Sequence, residues 1–313
     1  MINWLKNKKE QKNAATRQKS DQETKQLNRT RSGKGEKQDR EKAPVCARLT
    51  REIVVFPSNF QHQGARERQE DAFAVSNLED REQVEKNGVF AVVADGMGGL
   101  SVGQKASHGA VSAFIKEYAR EEPGISIQEK LLLSLQVANA TVFDLALKDG
   151  EVIEMGTTLV AAAIHADQLY WVSAGDSRIY LCRDGQLLQL NKDHIYANQL
   201  KEEVKNKRIT RDEAENHPER GYLTSYLGLA EIPEIEQCAQ PLTLKPNDAV
   251  MICSDGLYNA LSLQEMADII QEGSLLTAEL LVGEALSKKI KHQDNITVVI
   301  LSCQATEAVK TVG

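Results

Sequence analysis

The chain has 313 residues, 41% of them hydrophobic, and a formal net charge of −7. That is enough for one large domain or two ordinary ones, and no apolar run approaches the ~20 residues a membrane-spanning helix needs. Five cysteines (Cys46, Cys182, Cys238, Cys253, Cys303) form no CxxC pair and six histidines form no HExxH, which argues against a disulfide framework or a zinc site and for core thiols in a reducing compartment.

The charge is unevenly divided. Residues 1–50 carry 14 Lys/Arg and 6 Asp/Glu, a balance of +8, and the rest carries 24 and 39, a balance of −15. Residues 1–48 are nearly free of apolar side chains after Leu5, so they cannot offset their ordering entropy and are expected to be a disordered basic tail. Such a tail suits docking to an acidic partner; no stable nucleic-acid or transmembrane interaction is expected. Lys6, Lys8 and Lys9 follow Ile2, Trp4 and Leu5 at once, which is not the layout of a secretory leader and predicts a cytoplasmic protein.

The pattern changes at Ile53. The apolar run Val89 to Ala94, closed by Asp95-Gly96, reads as a buried strand. Ala106, Ala110, Phe114 and Tyr118 recur every four residues, one face of a helix. Ser126 and Glu129 form a capping box that opens a second helix through Leu131, Leu135, Ala138, Val142 and Leu145. Strands are expected over 157–164, 168–173 and 178–182, with Asp184-Gly185 turning into 186–190. Residues 193–225 read as polar and irregular with helical stretches. A strand over 249–253, helices over 262–271 and 277–291, and a strand over 295–302 complete the chain. Hairpin-like strand series with helices between them predict an α+β fold with mainly antiparallel sheets.

Aspartates fall at the edges of the apolar runs. Asp71 precedes AFAV, Asp95 follows FAVVA, Asp255 follows VMICS, and Asp294 precedes NITVVIL. Any one Asp-Gly is an ordinary turn. Four carboxylates at strand tips that share one sandwich would repel one another unless a cation neutralised them. All-oxygen ligands favour Mg²⁺, Mn²⁺ or Ca²⁺. The residues by themselves reach as far as a dinuclear hydrolase of an oxyanion. The glycines after Asp95 make neither GxGxxG nor GK[ST], and GxSxG is absent.

In order along the chain stand GARERQED (64–71), VADGMGG (93–99), GTT (156–158), AGDSR (174–178), LTSYLG (223–228), SDGL (254–257) and DN (294–295). This series resembles the metal-dependent type 2C serine/threonine protein phosphatases, in particular their bacterial branch. The resemblance implies a four-layer α/β/β/α sandwich of two mainly antiparallel sheets flanked by helix pairs, over 49–305, with 306–313 as a C-terminal tail. It implies two Mn²⁺ or Mg²⁺ ions bridged by Asp95, with the Gly96 carbonyl, Asp71, Asp255 and Asp294 as further ligands and Glu70 holding metal-bound water. Asp176 would serve a weaker third ion. Arg66 would grip the substrate phosphate as a bidentate fork. The implied reaction is hydrolysis of phosphoserine or phosphothreonine in proteins by a bridging water or hydroxide, without a phosphoenzyme. The substrates would be targets of a Ser/Thr kinase in signal transduction.

Three positions depart from the family pattern. Met97 stands where many eukaryotic relatives have a histidine, so solvent would protonate the leaving group; Gln69 and Gly221 stand where asparagine is common. His194 and His217 are expected to make loop hydrogen bonds in the flap region 193–225. The other reading is a catalytically weak regulatory binding module on the same fold, which the presence of all four aspartates opposes.

Overall fold

The computed structural model describes residues 53–98, 102–148 and 151–306. The expectation of a disordered basic tail falls outside the described residues, as do Cys46 and nearly all of 306–313. In order come β1 (Ile53–His62), β2 (Asp71–Val75), α1 (Arg81–Asn87), β3 (Val89–Met97), α2 (Val102–Tyr118) and α3 (Ile127–Ala146). The short strands β4 (Leu147–Lys148), β5 (Glu151–Val152) and β6 (Gly156–Thr157) lead into β7 (Leu159–His165), β8 (Gln168–Ala174), β9 (Arg178–Arg183) and β10 (Gln186–Gln189). Then follow α4 (Tyr196–Lys205), α5 (Arg211–Glu215), β11 (Glu236–Gln237), β12 (Leu242–Thr243), β13 (Ala249–Cys253), α6 (Asp255–Tyr258), α7 (Leu263–Gln271), α8 (Thr277–Ser287) and β14 (Ile296–Ala305).

One sheet runs β1-β14-β13-β9-β10 and the other β11-β8-β7-β3-β2, with β12 on β8 and β6 on β3. Every pairing is antiparallel. The alternation of side chains along β3 explains the layers. Ala91 and Val93, with Val160 beside them on β7, point to the other sheet, where Ile179, Ile252 and Val299 meet them. Val92 and Ala94 point the opposite way, to Ala110, Phe114, Leu131 and Leu135 of α2 and α3. Beyond the first sheet, Met251, Val298 and Ile300 pack on Met266, Ile270, Leu281 and Val282 of α7 and α8. Three apolar interfaces between four layers make the α/β/β/α sandwich.

The capping box forms as expected: Ser126 accepts from the Glu129 N–H, and Glu129 binds back to the Ser126 backbone. Asp184 and Gly185 both take positive φ, 51° and 72°, and join β9 to β10. Cys182, Cys238, Cys253 and Cys303 are buried free thiols.

Several elements and boundaries differ from the sequence reading, among them the short β4, β5, β11, β12 and α6 and the end of β14 at Ala305. β1 carries Pro57, which argues against an interior strand; it is tolerated because β1 is an edge that pairs only with β14. The short, polar α1 has no apolar period, and its start is fixed locally by Asp80, whose side chain accepts from the Gln83 N–H. α8 stops at Ser287 rather than near 291, where the chain turns through Lys289 at φ 53°.

Leu135 is fully buried between α3 and the second sheet, whereas Leu188 on the edge strand β10 is 61% exposed. Leu135→Ala should therefore lower unfolding free energy by about 2–5 kcal/mol in urea titration, while Leu188→Ala should change it by less than about 0.5 kcal/mol.

Candidate metal and phosphate site

β2 and β3 are in a register that sets Asp71 opposite Asp95. Asp95 closes the apolar run, but its strand continues to Met97, so it sits within the ladder rather than at its tip. Its backbone is held on both sides by the GTT segment. Asp95 N–H donates to Thr158 Oγ1 (3.0 Å), while the Thr158 N–H (2.9 Å) and Thr157 Oγ1 (2.8 Å) donate to Asp95 O. Thr158 Oγ1 also lies 2.6 Å from Ser177 Oγ, which ties this point to the β8–β9 loop carrying Asp176.

Asp71 is 1% exposed. Its Oδ2 accepts from Ser254 Oγ and Thr297 Oγ1, both at 2.7 Å, and its Oδ1 is buried with no hydrogen-bond partner. Asp255 opens α6 just beyond β13; its Oδ1 is likewise buried without a partner. Asp294 precedes β14 and accepts from Arg66 Nη2 at 2.5 Å. Asp176 receives the Tyr258 hydroxyl on its backbone O (3.1 Å) and more loosely on Oδ2 (3.4 Å).

Asn295 staples the loop before β2. Its Nδ2 donates to Gln63 O (2.7 Å) and Arg68 O (2.9 Å), and its Oδ1 accepts the Glu70 N–H (2.7 Å). Gly64 allows this fold-back: at φ 65°, its missing Cβ would lie 2.1 Å from Asp294 O. Gly96 is needed for a different contact, since a Cβ there would lie 2.1 Å from Gly103 O at the start of α2.

The electrostatics follow from burial. Desolvation, then the charges of Asp71, Asp255, Asp176 and Asp294, raise the Asp95 carboxyl well above its ordinary range. Burial, opposed by two hydroxyl bonds, leaves Asp71 at about 6. Burial and the charge of Asp193 bring Asp176 to about 6. Burial and the neighbouring aspartates bring Asp255 to about 7. Burial raises Glu70 while Arg66 lowers it. The five predicted aspartates thus share one acidic region, and Arg66 is beside it. Among the described residues no three Asp, Glu, His or Cys side chains close on a single point.

The donor set fits hard divalent cations: buried aspartate oxygens, two of them without any partner, and a backbone carbonyl beside Asp95 where no side chain intervenes. Residues that the motifs did not assign also shape the site. Ser254 and Thr297 fix Asp71, Asn295 fixes the Arg66 loop, and Tyr258 fixes Asp176. Arg178 makes a forked pair with Asp193 (Nη2–Oδ2 2.7 Å) and stacks 3.5 Å from the Tyr258 ring centre. The motif SDGL adjoins Tyr258, and AGDSR and DN contain Arg178 and Asn295, but only the three-dimensional contacts show what each side chain does.

The family model described as Protein phosphatase 2C matches residues 61–292. The chain belongs to the protein phosphatase 2C family. The serine/threonine phosphatase stp of Listeria welshimeri is 32% identical over 218 residues, covering 69% of this chain and 84% of the relative. The serine/threonine protein phosphatase PstP of Mycobacterium tuberculosis is 32% identical over 209 residues, covering 66% of this chain and 39% of the relative. Among solved structures, the S. agalactiae serine/threonine phosphatase superposes with a TM-score of 0.68 at 29% identity, covering 80% of this chain and 99% of the other. The catalytic domain of PstP in complex with two manganese ions gives 0.63 at 28% identity, with the same coverage. By class this protein is therefore a metal-dependent serine/threonine protein phosphatase of the 2C type, and the binding-module reading is not favoured.

The raised carboxyls set a sign for stability. A carboxyl whose folded pKa lies above its unfolded value near 3.8 keeps its proton longer when folded, so stability falls as pH rises from there through the folded pKa. For Asp71, Asp176 and Asp255 that window ends at about 6 to about 7. In EDTA, Tm should fall between pH 5 and pH 7.5 by roughly 5–10 °C, on the order of 3 kcal/mol for coupled groups. Mn²⁺ should raise Tm more at pH 7.5 than at pH 5, because ligation needs the ionised form. Differential scanning fluorimetry across this range checks both slopes.

Proposed function

We propose that Asp95, the Gly96 carbonyl, Asp71, Asp255 and Asp294 hold two divalent cations, Mn²⁺ or Mg²⁺, for the hydrolysis of phosphoserine and phosphothreonine in proteins. Asp176 is assigned a third, weaker cation, Glu70 the adjacent solvent, and Arg66 the phosphoryl oxygens. The observation that carries this reading is the pair of buried, unpartnered oxygens, Asp71 Oδ1 and Asp255 Oδ1, in a region where carboxylates raise one another's pKa. Such oxygens are costly unless a cation takes them.

When bound, two divalent cations supply the Lewis acidity that lets solvent attack phosphorus in line near neutral pH. The chain's own groups do the rest. Ser254 and Thr297 keep Asp71 in one orientation and are themselves spent as donors, so neither hydroxyl is offered as a nucleophile. Direct displacement by solvent fits this arrangement. Arg66 is 57% exposed and uses one N–H on Asp294, which leaves donors for a phosphoryl group. Asp294 would be among the residues that hold a cation, and Arg66, released from it, would turn its guanidinium toward the anion. The Met97 thioether carries no proton to give, so solvent protonates the leaving alkoxide.

The family and its named relatives support phosphoprotein substrates. We assign those substrates to a Ser/Thr kinase, the process to signal transduction and the compartment to the cytoplasm, with residues 1–48 as a docking arm for an acidic partner. No described helix is long and apolar enough to cross a membrane.

A phosphothreonine peptide and para-nitrophenyl phosphate should be hydrolysed with Mn²⁺ or Mg²⁺, and EDTA should abolish turnover; metal-independent turnover would remove the assignment. Asp95→Ala should lose at least about 10³-fold in kcat, on the order of 4 kcal/mol, while retaining the wild-type circular dichroism spectrum. Arg66→Ala should raise KM for the phosphopeptide about tenfold, and an unchanged KM would show that Arg66 does not hold phosphate.

A further inference from the structure

The flap carries a second charged feature, of opposite sign to the metal site. Between α4 and α5 lies a groove of about 540 Å³. Lys201, Lys205, Arg211 and Arg220 surround it, Ala197, Val204 and Ala214 line its apolar part, and Glu215 is its one carboxylate. Four cations to one anion is unexpected on a body whose residues 51–313 balance to −15 (24 Lys/Arg against 39 Asp/Glu).

The flap as a whole is not basic; its charges are sorted. Several of its acidic side chains are engaged away from the groove. Glu203 pairs with Arg208 at 3.4 Å, Glu213 caps Thr210, and Asp212 accepts from Asn216 Nδ2 at 3.1 Å. The groove's cations are weakly committed. Lys205 meets Glu202 at 3.4 Å with both side chains largely exposed, a contact worth little in water. Lys201 Nζ donates to Asn198 Oδ1, Arg220 Nη1 donates to the backbone O of Glu215, and the Arg211 guanidinium has no partner among the described residues.

The groove is tied by the backbone to the carboxylate region. His194 N–H donates to Gly175 O (3.0 Å), beside Asp176. Ile195 bridges Leu223, and Ala197 N–H donates to the O of Arg220 (2.8 Å), itself a groove residue. Two groove residues, Ala197 and Arg220, are thus joined by backbone contacts to the segment that meets Gly175, next to Asp176.

We propose that this groove binds an acidic segment of the phosphoprotein substrate, the residues that flank the phosphorylated serine or threonine, and so selects substrates with Asp- and Glu-rich flanks. Charge complementarity picks this occupant. The chain's own segment 1–50, at +8, carries the same sign as the groove and lacks the charge that would complement it. The inference rests on the phosphatase reading and adds sequence preference to it.

Three phosphothreonine peptides that differ only in flanks (Asp/Glu, Ser/Gly or Lys) test it on the full-length protein with Mn²⁺. At low salt, kcat/KM should favour the acidic peptide over the lysine peptide by at least about tenfold, and 0.5 M NaCl should shrink the difference. The triple variant Lys201→Glu, Lys205→Glu, Arg211→Glu should lose about tenfold on the acidic peptide alone, with para-nitrophenyl phosphate turnover within about twofold of wild type. Fluorescence anisotropy of the labelled acidic peptide in EDTA should show the same loss of affinity, a readout that does not depend on catalysis. The milder pair Lys201→Ala, Arg211→Ala should show a smaller loss of the same kind if the triple variant is poorly folded. Absence of turnover on every substrate would sink the phosphatase reading, and the anisotropy would still decide the groove. Equal kcat/KM for all flanks, equal loss on every substrate, or variants that lose only phosphatidylserine-vesicle binding would each overturn the proposal.

Discussion

The structure depends on a conflict at Asp95. An aspartate placed within a ladder, directly opposite Asp71 in the neighbouring strand, is largely desolvated and crowded by the charges of Asp71, Asp255, Asp176 and Asp294. Apolar burial on both faces of β3 holds it there, and the threonines of the GTT segment hold its backbone. The sandwich thus keeps several carboxylates where their charge is least tolerated. Divalent cations held there, as proposed, would turn that penalty into affinity, because the same crowding that opposes ionisation offers a hard cation a ready set of oxygens.

Around these carboxylates several buried polar groups serve orientation. Ser254, Thr297, Asn295 and Thr158 are all buried, and each holds either an aspartate or the backbone beside one. A separate series connects the flap to this region: Asp193 to Arg178, Arg178 over Tyr258, Tyr258 to Asp176. The first member belongs to the segment leading into α4 and the last to the acidic ring. The segment leading into α4 is therefore joined by side-chain contacts to the carboxylate on the β8–β9 loop.

Much of this was legible in the sequence because burial writes a period. The continuous run of β3, the four-residue recurrence in α2 and the capping box of α3 each have one physical cause and one expression. The aspartates could be singled out because they interrupt apolar runs. What stayed hidden depends on partners distant in sequence. Nothing local distinguishes Asn295 from any other asparagine until its amide meets Gln63, Arg68 and Glu70, and Thr297 reads as a β-branched strand residue until it reaches Asp71. β1 was obscured by Pro57, whose cost vanishes only at a sheet edge. Likewise the groove's cations look like a solvated helix face until α5 folds back on α4.

The long pairing of β1 with β14 has an architectural consequence. Its ladder runs from Ile53 opposite Ala305 to His62 opposite Ile296, and the latter pair is the one nearest Gly64 and Asp294. At ~3.3 Å per residue, Ile53 and Ala305 lie together roughly 30 Å from the carboxylate end. Ile53 and Ala305 thus stand side by side at the end of the sandwich opposite the carboxylates, so a circular permutant can join these two points with a short linker.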